Sequence, residues 1–509
     1  MDETTPLVSK KQQQHWLGIK PSPWVLYPAF IFLGTVLGMV QGPFVQFLLD
    51  LLCQRMDTST VSDRSREECN ADSAVQAASS TLLMQTDSRY DILGMLSTVM
   101  YSSMSDKRGR RPILIINAFG FLADITLSYI LARFHQVAPL WLLVVGAICQ
   151  GLGGSSATLL MSCHAYAADC TTPGERTVVF GRLMASFVAG NFAGPTLAGY
   201  IMEKTGSIEP ILIVNMAGLS MWILYLIFVM PESNRKVREN VSEDITEPSQ
   251  PFWKRLNFYS SLSIIFTASP ELANKASLPL LILTQMLSKT ANLSFVCIVV
   301  LYVTYVFGWT PAQVGYFLSF ENAASLIGLL FIIPLITKMH GKVSDEEDVN
   351  DPAVAGLHIM KLDLWMVRIG LTCLCGSMLL FSLANVGWVM FLGATLQMGG
   401  SLYIVSAKSL LVQLAGEDQA GQILGAAGVV ESMVFTFAPI LANELYSRFV
   451  FTSPWVVFGA CTGLHASALF LSIFIRSKRQ GSIILYNIPM PTRTFLCHYV
   501  AAQKVVNVP

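Results

Sequence analysis

The feature that most constrains this chain is a succession of long apolar runs between residues 24 and 475, interrupted by one long polar stretch at 231–277. A helix needs about 20 such residues to cross roughly 30 Å of hydrocarbon, and most of the runs reach that length. Each reads as a membrane-crossing helix. Composition agrees, because 53% of the 509 residues are hydrophobic and only 13% are charged, too few for a water-soluble chain of this size. Lys plus Arg and Asp plus Glu both number 33, so no basic excess points to nucleic acid as a partner. The first 20 residues hold Lys10, Lys11 and Gln12 to Gln14 but no apolar core, which argues against a cleaved signal peptide.

Helix 1 is expected over 24–52, where Gly34, Gly38 and Gly42 give it one face of small residues. A polar loop, 53–89, follows. The next run, 90–104, falls short of the minimum of about 17 residues. Helix 2 is therefore expected to begin near Thr81 and to carry Gln85, Asp87 and Arg89 on a protected face. Helices 3 to 6 are expected over 112–132, 140–168, 178–202 and 210–230, and helices 7 to 12 over 278–305, 312–336, 364–384, 387–414, 422–446 and 455–475. The expected fold is an all-α membrane protein with about 12 transmembrane helices in two six-helix bundles, 24–230 and 278–475. A cytoplasmic linker, 231–277, would join them, with cytoplasmic tails at 1–23 and 476–509.

The stretch Ser102-Ser103-Met104-Ser105-Asp106-Lys107-Arg108-Gly109-Arg110-Arg111-Pro112 packs cations into a short loop, with Gly109 free to turn the backbone. Lys and Arg are retained on the cytoplasmic side of short loops. An even number of spans then places both termini in the cytoplasm, in keeping with Arg476, Lys478 and Arg479 after helix 12. Cys53 and Cys69 would share the first non-cytoplasmic loop, where a disulfide or two free thiols are both open readings.

The two halves repeat one another in part. Gly146-Ala147 with Gln150 and Gly153 in helix 4 lines up with Gly393-Ala394, Gln397 and Gly400 in helix 10 (393 − 146 = 400 − 153 = 247). Gly181 and Pro195 in helix 5 match Gly425 and Pro439 in helix 11. With this duplication, the loop Asp106 to Arg111, and Gly190, Gly194-Pro195 and Gly199 in helix 5, the chain resembles the major facilitator superfamily. The helix-5 glycines resemble a motif of proton-driven antiporters. Pro231-Glu232-Ser233 and Phe307-Gly308-Trp309-Thr310 resemble fungal transporters of the kind encoded beside secondary-metabolite pathways.

The resemblance implies a conformational latch made of Asp106, Gly109, Arg110, Arg111 and Asp169, with Asp106 facing the start of helix 11 at 416–422 and Arg110 reaching Asp169. Two departures stand out: Ser102 occupies a position where the family has Gly, and Ala147 the place of its helix-4 arginine. Ionisable residues are costly inside a bilayer, so Asp124, Lys289, Glu321, Glu431 and His465 are candidates for proton coupling. Uncharged polar residues supply a candidate substrate cavity: Gln41, Gln46, Gln150, Asn191, Gln285, Asn292 and Gln397. Such a cavity suits a largely apolar organic molecule.

No GxxxxGK[ST] loop and no metal-ligand spacing occurs, so neither ATP, a metal nor another cofactor is expected, and no enzyme activity. The expected function is proton-coupled export of a small organic compound by alternating access in contact with membrane lipids. Import of a nutrient or vitamin, or a non-transporting sensor, are the alternatives. Glu3-Thr4-Thr5-Pro6-Leu7-Val8 only faintly resembles an acidic dileucine sorting signal, which leaves the plasma membrane ahead of the vacuole.

Overall fold

The computed structural model describes residues 20–56, 65–171, 176–234, 265, 276–336, 352–415 and 420–475. Regular structure among them is helical throughout. The first half contains α1 (Pro23–Gly38), α2 (Gln41–Met56), α3 (Arg66–Ala71), α4 (Ser73–Arg108), α5 (Arg110–Arg133), α6 (Trp141–Leu152), α7 (Ser155–Asp169), α8 (Arg176–Thr205) and α9 (Glu209–Phe228). The second contains α10 (Ser277–Phe307), α11 (Pro311–Ile327) with a π-helical turn at Gly328–Ile332, α12 (Pro352–Ser382), α13 (Gly387–Leu396), α14 (Met398–Ala415), α15 (Ala420–Phe449) and α16 (Val456–Ile473).

Ten stretches among the described residues are long and apolar enough to cross a membrane, three of them formed by the broken pairs α1–α2, α6–α7 and α13–α14. The remaining two spans, α4 and α8, have the length but are more polar. Helix 2 is the main correction to the sequence reading. It starts at Ser73, not near Thr81, so most of the expected polar loop is helical, and α4 runs for 36 residues. At 1.5 Å per residue that is about 54 Å, well beyond the hydrocarbon thickness, so its first turns tolerate polar residues. Asp72 caps it by accepting from the Ala74 N–H at 2.9 Å. Asp87 is half-buried, whereas Gln85 and Arg89 are exposed rather than protected.

Span 4 is also not continuous. Gly154 has φ +107° and Ser155 +57°, a left-handed turn that frees carbonyls from the helix ladder. Neighbours accept that role: the Asn117 amide donates to the oxygens of Gly153 and Ser155 at 3.2 and 2.9 Å, and Tyr101 donates to Leu152 O at 2.8 Å. Span 10 breaks at Gln397, whose counterpart in the repeat is Gln150 (397 − 247), within one turn of the first break.

Within the first half α1 packs on α8, α4 on α6, and α5 on α6 and α9. Within the second, α12 packs on α14 and α16, and α10 on α15 and α16, around an aromatic core that includes Phe295, Phe317, Phe381 and Phe458. The halves meet chiefly where α8 packs on α11 and α4 on α15. Large apolar side chains such as Trp24, Leu224, Trp388 and Phe437 remain exposed on the bundle surface, as a lipid-facing exterior requires. The expected tails and most of the linker lie outside the described residues.

Candidate functional site

At one end of the bundle the cationic loop ties four helices together. Gly109 turns the chain at φ +103° between α4 and α5, and a Cβ there would stand 2.7 Å from the Glu232 carboxyl carbon. That carboxylate caps α5: Arg110 N–H donates to Oε1 at 2.9 Å and Arg111 N–H to Oε2 at 3.1 Å. An anion in this position is favoured by the exposed N–H groups and the helix dipole. Arg110 Nε donates to Asp169 Oδ2 at 3.0 Å, and Ser233 Oγ donates to the same oxygen at 3.0 Å. Arg111 donates to the carbonyls of Leu226 and Ile227 at the end of α9. The side chain of Asp106 and residues 416–419, its expected partner region, lie outside what the structure describes.

The opposite end is where the described halves close on one another. Thr196 Oγ1 and Ser319 Oγ are 2.8 Å apart, Thr310 Oγ1 donates to Glu203 Oε2 at 3.2 Å, and Ser80 Oγ donates to Asn443 O at 2.9 Å. The helix-5 residues serve two contacts. A Cβ on Gly190 would lie 2.7 Å from Thr35 N and one on Gly194 2.6 Å from Thr35 O, so these two seat α8 on α1. One on Gly199 would lie 2.5 Å from Pro311 O, and Gly315 comes equally close to Pro195, so this stretch seats α8 on α11 across the halves.

Midway along the bundle, Gln285 and Lys289 of α10 and Glu431 of α15 line one cleft with Ile282, Met286, Ala427, Val430 and Val434. Lys289 Nζ lies 5.2 Å from the Phe435 ring centroid, and the charges of Lys289 and Glu431 act on one another. The Gln285 amide donates to Ala407 O at 3.2 Å, which joins α10 to α14 beside the cleft.

The family model of the Major Facilitator Superfamily matches residues 76–344, more than half of the sequence. The chain belongs to the major facilitator superfamily. A relative over nearly its full length is the MFS-type transporter avaJ of Aspergillus versicolor, 24% identical over 497 residues that cover 94% of this chain and 95% of that protein. Tetracycline resistance protein, class D, of Salmonella ordonez is 24% identical over 76% of this chain and 85% of its own length. The proton-coupled folate transporter of Bos taurus is 23% identical over 82% and 84%. Among solved structures, the human organic anion transporter MFSD10 (TETRAN) superposes with a TM-score of 0.58 at 16% identity, over 89% of this chain and all of that one. At that identity the likeness speaks for the fold.

In this superfamily chain, the residues singled out from sequence fall into separate places. Of the five ionisable candidates only Lys289 and Glu431 come together. Asp124 sits in the first half against Gly146, and its charge acts on Asp87, which in turn acts on Asp91. Glu321 is half-buried on α11. His465 is buried on α16, with Nδ1 3.0 Å from Cys461 O and no partner for Nε2 among the described residues. The cavity candidates also divide. Gln46 donates to Asp50 and Asn70 at 2.9 Å each, in a network with Arg66 beside the disulfide between Cys53 and Cys69, so it belongs to the closed end and not to the central cleft. Its buried amide is consumed by those two acceptors. Gln41 is exposed, Gln150 and Asn292 are half-buried, and Asn191 donates to Phe187 O at 3.1 Å against α1. Gln397 is buried at the break of span 10, its Nε2 without a partner among the described residues. Sequence reasoning passed over Asp91 and Glu232 as site residues. The four-residue spacing of Asp87 and Asp91 was visible, but nothing local announces that Glu232 folds back onto a helix 122 residues earlier.

Proposed function

We propose that this chain is a proton-coupled secondary transporter that moves a small, largely apolar organic compound by alternating access, with its central site at Lys289 and Glu431. The observation that carries the reading is that two opposite charges on different helices share one largely apolar cleft, with Gln285 beside them, in mid-membrane, where unneutralised charge is costly and marks ion or substrate paths. The two halves, 24–230 and 278–475 joined by 231–277, rock about the contacts α8–α11 and α4–α15. The Arg110–Asp169 loop, completed by Asp106, locks the opposite end in the alternate state. Both termini are cytoplasmic and the membrane is the plasma membrane; protons replace ATP as the energy source, and no catalysis is involved.

Export is supported by relatives named for tetracycline resistance. Movement with the protons is the second reading, supported by relatives named as proton-coupled folate transporters and favoured by the mid-membrane cation Lys289. Purified protein in vesicles, given a pH gradient in each direction and a panel of hydrophobic compounds, tests the reading. Gradient-dependent accumulation of at least one compound is expected. No gradient-dependent movement of any compound refutes transport and leaves the sensor.

A further inference from the structure

We propose that α3 is a lid over the closed end of the bundle and that the disulfide between Cys53 and Cys69 sets how tightly that end shuts. This rests on the alternating-access reading and adds a control to it. A helix as short as α3 (Arg66–Ala71) does not hold its shape alone, so it must be held from outside. Its start is capped by a reciprocal pair: Ser65 Oγ accepts from Glu68 N–H at 3.2 Å, and Glu68 Oε2 accepts from Ser65 N–H at 3.1 Å. Its fasteners run to the first half. Cys69 is bonded to Cys53 of α2, Arg66 pairs with Asp50 of α2 at 3.1 Å and donates to Gly206 O, just past α8, at 3.1 Å, and Asn70 accepts from Gln46 of α2. A single residue, Asp72, joins α3 to α4.

The lid also reaches the second half, because α3 packs on α10. Buried polar groups carry the same fastening into the seam: Gln76 of α4 donates to Asn70 O at 3.0 Å, and one turn further on Ser80 donates to Asn443 O of α15. Such a lid resists separation of the halves only as far as it is fixed to the first. With the disulfide intact, parting of the halves must pull α3 off α10. With the disulfide cut, the Arg66–Asp50 pair, partly open to water, is a weak fastener. The lid then swings on Asp72 and stays with α10, and Asn70 no longer fixes Gln76 beside the seam. Closure is therefore tighter with the disulfide than without it, and a reductant on the side opposite the cationic loop shifts the population toward the state open to that side. With a phosphine as reductant the step balances: phosphine and one water become the phosphine oxide, while the S–S bond breaks and each sulfur takes one electron and one proton to leave two thiols.

The test uses the full chain in detergent, well below its unfolding midpoint, with Ser319→Cys at the buried seam beside Thr196. A water-soluble phosphine is added and removed, a maleimide follows, and labelling at position 319 is read by peptide mass spectrometry, which also reports whether Cys53 and Cys69 are thiols. Reduction is expected to speed labelling at 319 by about fivefold or more, the lower end for coupled sites. Labelling of Cys461, buried within the second half, should stay as it was. The same chain with Cys53→Ser and Cys69→Ser should label at the faster rate without phosphine and ignore its addition. Arg66→Gln, which keeps the disulfide if the serine variant fails to fold, should raise the rate less than reduction does. Unchanged labelling at 319 once Cys53 and Cys69 are thiols, an equal rise at Cys461, or a phosphine response that survives the serine substitutions overturns the proposal. Gly199→Ala, which crowds α8 against Pro311 O, separates the two readings. If it speeds labelling at 319 and reduction does not, the lid has failed and the rocking of the halves stands. If neither does, both have failed.

Discussion

Gly199→Ala separates packing within a half from closure between the halves. In the observed state a Cβ at this position would stand 2.5 Å from Pro311 O, 3.0 Å from Ala312 Cα and 3.1 Å from Pro311 C, all rigid groups of the other half. Overpacking of this kind costs about 1–3 kcal/mol. The cost applies only while α8 and α11 are in contact, so the closed state loses about 5- to 150-fold in population relative to the alternate one. Ser319 is buried at this seam against Thr196, and a cysteine in its place reports the opening. Labelling of Ser319→Cys by a membrane-impermeant maleimide is expected to be faster when Gly199→Ala is added. Gly190→Ala is the matched control: its Cβ would lie 2.7 Å from Thr35 N and 2.9 Å from Gly34 Cα, inside the first half in every state. It should lower the unfolding temperature and leave the labelling rate unchanged. Equal labelling with and without Gly199→Ala refutes the reasoning, as does faster labelling in Gly190→Ala.

Further outcomes follow from the same contacts. Glu232→Ala removes the acceptor for the first two N–H groups of α5 and should destabilise the protein by about 0.5–2 kcal/mol, read by thermal unfolding; an unchanged midpoint would show that water replaces the carboxylate at no loss. Arg110→Ala leaves Asp169 with the Ser233 hydroxyl alone and is expected to slow transport more than Arg110→Lys does; equal rates would remove the ion pair from the cycle. Cys53 and Cys69 should resist alkylation until a reductant is added, and the double serine variant should lose about 3 kcal/mol, as expected for a loop of this length; full alkylation without reductant contradicts the pairing.

The spans that face lipid were legible because hydropathy records what lipid requires. Leu224 and Phe437 point outward and make an apolar run obvious. The start of helix 2 was not, because its first turns bury Gln76, Ser79 and Ser80 against protein, where a polar side chain carries no penalty once partnered, as Ser80 is by Asn443. The breaks in spans 4 and 10 were hidden for a related reason. Gly153 and Gly154 look like packing glycines until Asn117 and Tyr101 are seen holding the freed carbonyls. At the site, the pairing of Arg110 with Asp169 followed from the family resemblance and is what the structure displays, at 3.0 Å. That Lys289 shares its cleft with Glu431 was half legible: a lysine in mid-membrane calls for an acid to neutralise it, but Glu321 and Glu431 both offered one and nothing in the sequence brings either to Lys289. Gln46 was misplaced because a polar residue in an apolar helix looks the same whether it faces a cavity or, as here, Asp50 and Asn70.

The most direct measurement is pH-gradient-driven flux into vesicles by the unsubstituted chain and by Glu431→Gln, with counterflow of the same compound measured at equal pH on both sides. If Lys289 and Glu431 form the coupling site, the variant loses the gradient-driven flux and keeps the counterflow, because the cleft survives while its exchangeable proton does not. Gradient-driven flux with unaltered pH dependence in Glu431→Gln contradicts that assignment.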